Sequence, residues 1–265
     1  LNPKHADAHN NMGIALKDQG KPDDAIASYL KALTLSPDHA EAYYNMGGAL
    51  KDVEFRKPIS GMPELVCKLL EKEKFVRPSD VSKAAISLLK FHPTIKDIIR
   101  DNSEGKIAKS LQDTILKLSD IPLLLKLMDI CPIPDLFIEN FIKNIRSRIL
   151  INISIIKNNT DILPFQSSLA LQCYTNEYLY DTDDIEMDHL QVLEELVENN
   201  LINGEQPSPN ELACLASYKA LCEYSWAHLL SIPIELKYLE RRQILDPKEE
   251  ERLALKIPEL QKIKD

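Results

Sequence analysis

Apolar residues recur along this chain at steps of three and four, the spacing that gathers them on one side of an α-helix. Ile107, Leu111, Ile115 and Leu118 keep it, as do Leu136, Phe137, Phe141, Ile145 and Ile149, and Leu212, Leu215, Tyr218 and Leu221. Prolines mark helix starts, because the first turn has no use for the missing N–H. Met62-Pro63 precedes a helix over Glu64 to Lys72, and Arg77-Pro78 one to Phe91 with Ser79 or Asp80 as its cap. Pro93 opens a helix bearing Ile95, Ile98 and Ile99, and Pro122 one over Leu123 to Ile130. Pro134 opens the longest, to about Lys157, and Pro164 a helix over Phe165 to Tyr180. Asp183-Asp184 starts one through Val197, and Ser208-Pro209 is a cap and first turn. Ile232-Pro233 and Asp246-Pro247 mark two last helices, the second over Lys248 to Ile257. Asn102 to Gly105 reads as a turn, and Gly204 to Ser208 as a loop. No stretch alternates as a strand would. The expected fold class is all-α, a truncated helix–turn–helix array followed by an irregular helical bundle or solenoid.

The first residues add a longer period. Ala6-Asp7-Ala8-His9-Asn10-Asn11-Met12-Gly13 is answered 34 positions later by Ala40-Glu41-Ala42-Tyr43-Tyr44-Asn45-Met46-Gly47. Ala15 to Asp18 is answered by Ala49 to Asp52 in the same way. This resembles the tetratricopeptide repeat (TPR), a helix–turn–helix unit of that length. Gly13 and Gly47 sit inside helices, where Gly costs about 1 kcal/mol relative to Ala. Close approach of the second helix through Ala25 accounts for Gly13, and Met12, Leu16, Ile26, Tyr29 and Leu33 are expected to close the pair. Gly20 ends the first helix, Pro22 with Asp23 and Asp24 opens the second, and Pro37 ends it.

The second repeat fails at Val53 to Pro58, where its turn and second helix should begin. One repeat and half of another cannot bury their own apolar faces, so the chain is expected to be a piece of a longer protein. The organisation implied is 1–57 repeats, 58–243 an α-helical middle domain, and 244–265 a charged helical linker.

The runs His5 to Asn11 and Lys17 to Asp23 resemble the TPR superhelix of O-linked N-acetylglucosamine transferases. In that family asparagines on the inner helix face hold the backbone of an extended peptide. The resemblance places Asn11 and Asn45 in those positions. A side-chain amide both donates to and accepts from a peptide unit. With Asn10, Ile14 and Tyr44 beside them, they form the expected peptide-binding set.

Charge is unevenly spread. The formal net charge is −9, yet residues 158–218 hold twelve carboxylates and no Lys or Arg. Nucleic-acid binding calls for a basic face, so none is expected. A long acidic face is ordinarily solvated; the sharper reading is a dock for a basic partner or domain. Cys67, Cys131, Cys173, Cys214 and Cys222 are odd in number and contain no Cys-x-x-Cys, which fits small thiols in a reducing, cytoplasmic setting. The longest apolar stretch, Ile149 to Ile156, is too short to cross a bilayer, so no membrane partner is expected.

Phe75 to Pro78, Cys131 to Leu136, Gln172 to Tyr180 and Leu215 to Lys219 resemble a bacterial family that joins N-terminal TPRs to a helical region and a C-terminal S-adenosylmethionine-dependent methyltransferase. The resemblance covers about Leu65 to Asp265. It implies that this chain is the non-catalytic front of such an enzyme. No Gly-x-Gly turn occurs for the cofactor backbone approach, and no cofactor is expected.

Candidate chemistry weighs little. Helical spacing would set Cys173 and Glu177 on one face, but a thiol nucleophile needs a base, and no His lies close in sequence. A packed polar network orienting helices is the simpler account. Asp181 to Asp188 lacks the glycine and terminal Glu of a calcium loop and reads as an acidic helix start. The six histidines form no metal pattern, His9 stands where the repeat has an aromatic, and Trp226 reads as core. The expected function is a protein-interaction scaffold recruiting a protein or peptide to a fused methyltransferase. The alternatives are an assembly module, or an enzyme acting through Cys173 to Glu177.

Overall fold

The structure is a computed structural model and describes residues 3–103 and 110–250. Among these residues every regular element is helical. Contacts divide the chain into two compact units: Leu1–Ala108 with Ile121–Leu127, and Lys109–Asp120 with Met128–Asp265.

The first unit begins with a helical hairpin, α1 (Pro3–Asp18) and α2 (Pro22–Leu35), followed by α3 (Ala40–Leu50). Gly20 joins the hairpin at φ +74°, a left-handed conformation that Gly adopts without a Cβ clash. Its N–H bonds Lys17 O and the Lys21 N–H bonds Leu16 O, which satisfies the last carbonyls of α1. Ala6, Asn10 and Gly13 are the buried positions of α1, and Ala25, Ile26, Tyr29 and Ala32 are among those of α2. Met12, expected inside, is 56 % exposed. The buried stripe runs through residues 6, 10 and 13, and Met12 lies one position off it. Gly13 makes room for Tyr29 and not for Ala25, since a Cβ there would fall on the Tyr29 ring.

His39 ties α3 to α1. Its Nδ1 accepts the Ala42 N–H at 3.3 Å, so the ring proton sits on Nε2, 3.0 Å from Asp7 Oδ1. The second repeat then departs from the first. α3 stops at Leu50, and Asp52 takes φ +62° where no glycine is supplied. The following segment is held by Phe55 N–H donating to Ser87 Oγ at 3.0 Å. α4 (Met62–Glu71), α5 (Pro78–Leu89) and α6 (Pro93–Ser103) follow in this unit, which also takes in residues Ile121–Leu127. Pro78 is the first residue of α5, so Arg77 stands at the cap position and neither Ser79 nor Asp80 caps it. α6 runs through Ser103, over the start of the expected turn, whose remainder lies outside the described residues.

α7 (Leu111–Ser119) belongs to the second unit; α8 (Pro122–Ile130) is counted with the first unit as far as Leu127 and with the second from Met128. The start expected at Ile107 lies outside the described residues. The helix expected from Pro134 to Lys157 is broken by Asn152 into α9 (Leu136–Ile151) and α10 (Ile153–Ile156). The Asn152 amide folds back onto Arg148 O at 2.8 Å, the side-chain competition that ends helices. α11 (Leu163–Thr175), α12 (Asp184–Ile202), α13 (Pro209–Ala216) and α14 (Lys237–Glu240) follow, α14 continuing into a π turn at Arg241–Leu245. α12 is the longest described helix. Asp183 caps it through the Glu186 N–H at 2.8 Å, which accounts for the acidic run as a helix start. Ser208 and Glu211 form a reciprocal capping box on α13. The charged helix expected over Lys248 to Ile257 lies mostly outside the described residues.

α11 ends five residues before its expected end at Tyr180. The Tyr178 N–H bonds Cys173 O at 2.8 Å and the Glu177 N–H bonds Tyr174 O at 3.0 Å, with Glu177 at φ +53°. This is the same closing geometry as at Gly20, built with a glutamate. Trp226 is buried and stacks on Tyr224 with ring centroids 4.4 Å apart.

Candidate functional site

The open groove of the first unit is made by three segments. α1 supplies Ile14, α3 supplies Glu41, Tyr44 and Asn45, and the link into α5 supplies Phe75 and Arg77; the groove encloses about 730 Å³. A continuation of about 280 Å³ shares Tyr44, Asn45, Phe75 and Arg77 and adds Lys17, Gly48 and Lys51. Tyr44 is 70 % exposed, and Phe75 and Ile14 are also open, so the walls present apolar surface to solvent. Asn45 Nδ2 donates to Asn10 Oδ1 at 3.0 Å. That bond fixes the amide plane and leaves the Asn45 Oδ1 and one N–H for a ligand backbone.

Of the expected peptide-binding residues, the structure gathers Ile14, Tyr44 and Asn45 along this groove. Asn10 is buried behind it and orients Asn45. Asn11 is exposed and does not line it. The structure thus sets Asn45 on the groove with Asn10 behind it, and leaves Asn11 off the groove.

Lys17, Lys51, Phe75 and Arg77 were not in the expected set. Lys17 and Lys51 carried a signal, being equivalent positions of the repeat. Phe75 and Arg77 carried none, because only the fold brings the link before α5 against α3. Among the described residues the three cations have no ion-pair partner; Asp80 lines the continuation with them, while Glu41 and Glu73 line the wider groove. This end of the groove is therefore electropositive.

The second unit holds a polar cluster of a different kind. Arg146 on α9 and Glu186 on α12 are both buried and lie 3.3 Å apart. The Arg146 guanidinium also donates to Asp181 O at 3.2 Å and packs 4.3 Å from the Tyr218 ring, whose hydroxyl donates to Glu186. Burial pushes the Cys173 thiol up to about 12, against the lowering influence of Arg146. Glu177 is exposed past the end of α11, so the structure does not bring it to the buried thiol and the two share no helix face. The cluster has the chemistry of an internal brace: charges paired and hydrogen-bonded inside, a thiol kept protonated.

Among the described residues no group of His, Cys, Asp and Glu is arranged to hold a metal ion, and no helix is long and apolar enough to cross a membrane. A family model described as TPR repeat matches residues 15–52, from the end of α1 through α3. No curated protein and no solved structure matches the chain. The chain therefore carries a TPR, and its all-α architecture agrees with a helical array.

Proposed function

We propose that this chain is a non-catalytic protein-interaction scaffold whose TPR segment holds an extended peptide in the groove of Ile14, Tyr44, Asn45 and Phe75. The observation that carries the reading is Asn45: an amide held in plane by Asn10 with its Oδ1 and one N–H free, in a groove shared with the open rings of Tyr44 and Phe75. Such a site suits a peptide backbone unit with an apolar side chain on either side. The unpaired Lys17, Lys51 and Arg77 suit a carboxylate on the same peptide. Helical repeats present extended concave surfaces of this sort to partners.

An array of acidic and non-acidic decapeptides, read by fluorescence anisotropy, tests the reading. Asn45→Ala and Tyr44→Ala should each weaken the best binder by about tenfold, near 1.4 kcal/mol. Lys51→Glu should weaken only acidic peptides. Binding indifferent to all three substitutions, or no binding, would overturn the site.

The recruited protein is proposed to be delivered to a methyltransferase on the same bacterial, cytoplasmic polypeptide. This part is supported by the resemblance of residues 65–265 alone. Titration with S-adenosylmethionine should give no heat with this chain; a bound cofactor would sink the division of labour.

A further inference from the structure

α12 is anchored through Glu186, Leu193, Val197 and Leu201, all buried. Its outward side is not uniformly polar. Ile185, Val192 and Leu196 are 60, 67 and 43 % exposed. With His189 and Asn199 they fall at steps of four, three, four and three residues, the a and d rhythm of a coiled-coil seam. One flank of that seam, at Glu186 and Leu193, is buried in the unit. The other, at Asp188 and Glu195, is exposed and acidic. Scattered exposed apolar residues are ordinary. Three in heptad register over about three helical turns form a surface another helix can grip.

We propose that this seam docks a partner helix bearing apolar residues at its own a and d positions and Lys or Arg beside them. Charge selects the occupant. A second copy of α12 laid antiparallel would oppose Asp188 and Glu195 with the same acids, and residues 158–218 contain no Lys or Arg to relieve the repulsion. A basic flank turns that repulsion into attraction at the one edge left open. Asn199 and His189 are polar positions within an apolar seam, the kind of residue that fixes register at some loss of stability. This surface is independent of the groove beside Asn45.

The probe is a synthetic three-heptad helix with Leu at the seam and Lys at the flanks, titrated into the full chain by fluorescence anisotropy. Its control has Glu at the flanks. The Lys peptide should bind at least tenfold more tightly, and salt should narrow the gap. Asp188→Lys with Glu195→Lys should reverse the preference. Val192→Asp with Leu196→Asp should abolish binding of either peptide and leave the circular dichroism unchanged, because both side chains are exposed. Four results would overturn the proposal: no binding of the Lys peptide, equal affinity for both peptides, binding that survives the seam substitutions, or self-association of the chain that those substitutions abolish.

Discussion

Gly13 and Gly47 occupy the same place in the repeat, yet different side chains fill the notch each one leaves. At Gly13 the ring of Tyr29 enters, from the second helix of the same repeat. At Gly47 it is Val76, from the link between α4 and α5, with Cγ1 2.9 Å from where a Cβ would stand. The repeat conserves a gap between helices, not a particular contact. When the second helix of the repeat is missing, an unrelated segment can supply the filler. That substitution is also what carries Phe75 and Arg77 to the face of α3 and so builds the groove.

The comparison can be broken at its filler. Tyr29 is fully buried, so Tyr29→Ala should have the largest effect, a loss of about 3–5 kcal/mol in chemical denaturation. Gly13→Ala should come next, at about 1–3 kcal/mol, since a rigid buried ring must move to admit one methyl. Combining the two should recover part of the loss, because the alanine then occupies an emptied notch; additive losses would refute the pairing.

At the second notch the effects should be smaller. Val76→Ala removes two methyls, about 1.6 kcal/mol by transfer. Gly47→Ala should destabilise less than Gly13→Ala, because a valine methyl yields more readily than a ring. Equal losses at the two glycines would contradict the idea that the filler sets the tolerance. Gly48 sharpens the point. Its added Cβ would meet only the flexible Lys17 Nζ at 3.3 Å. Gly48→Ala should therefore be neutral or raise stability by up to about 1 kcal/mol through helix propensity. A marked loss there would mean that backbone, not neighbours, governs all three glycines.

The helix starts were largely legible because prolines and acidic or hydroxyl caps announce them, as at Pro63, Pro78, Asp183 and Ser208. The ends were less evenly legible. Gly20 marks the close of α1 at φ +74°, and α8 ends at Ile130 as expected with no glycine, but α12, expected to stop at Val197, runs on to Ile202 before Gly204 at φ +81°. Glu177 closes α11 in the same left-handed conformation with no sequence cue, so the residue pattern alone extends the helix to Tyr180 and aligns Cys173 with Glu177. Met12 shows a second limit: a three- and four-residue rhythm gives the face of a helix to within one position, which is enough to misplace one side chain. At the candidate site, Asn45 with Tyr44 beside it was pointed to by the family resemblance, whereas the partners brought by residues 73–77 depend on a long-range packing choice that no local pattern encodes.

The pairing of Arg146 with Glu186 reaches outward as well. A one-turn slip of α12 along α9, or a small roll about its own axis, would strand an ionised guanidinium without its counter-ion, a penalty of about 3–5 kcal/mol. The ion pair is thus a detent: it locks the azimuth of a surface helix from the inside. Which residues of α12 the solvent meets is decided at a point the solvent never reaches.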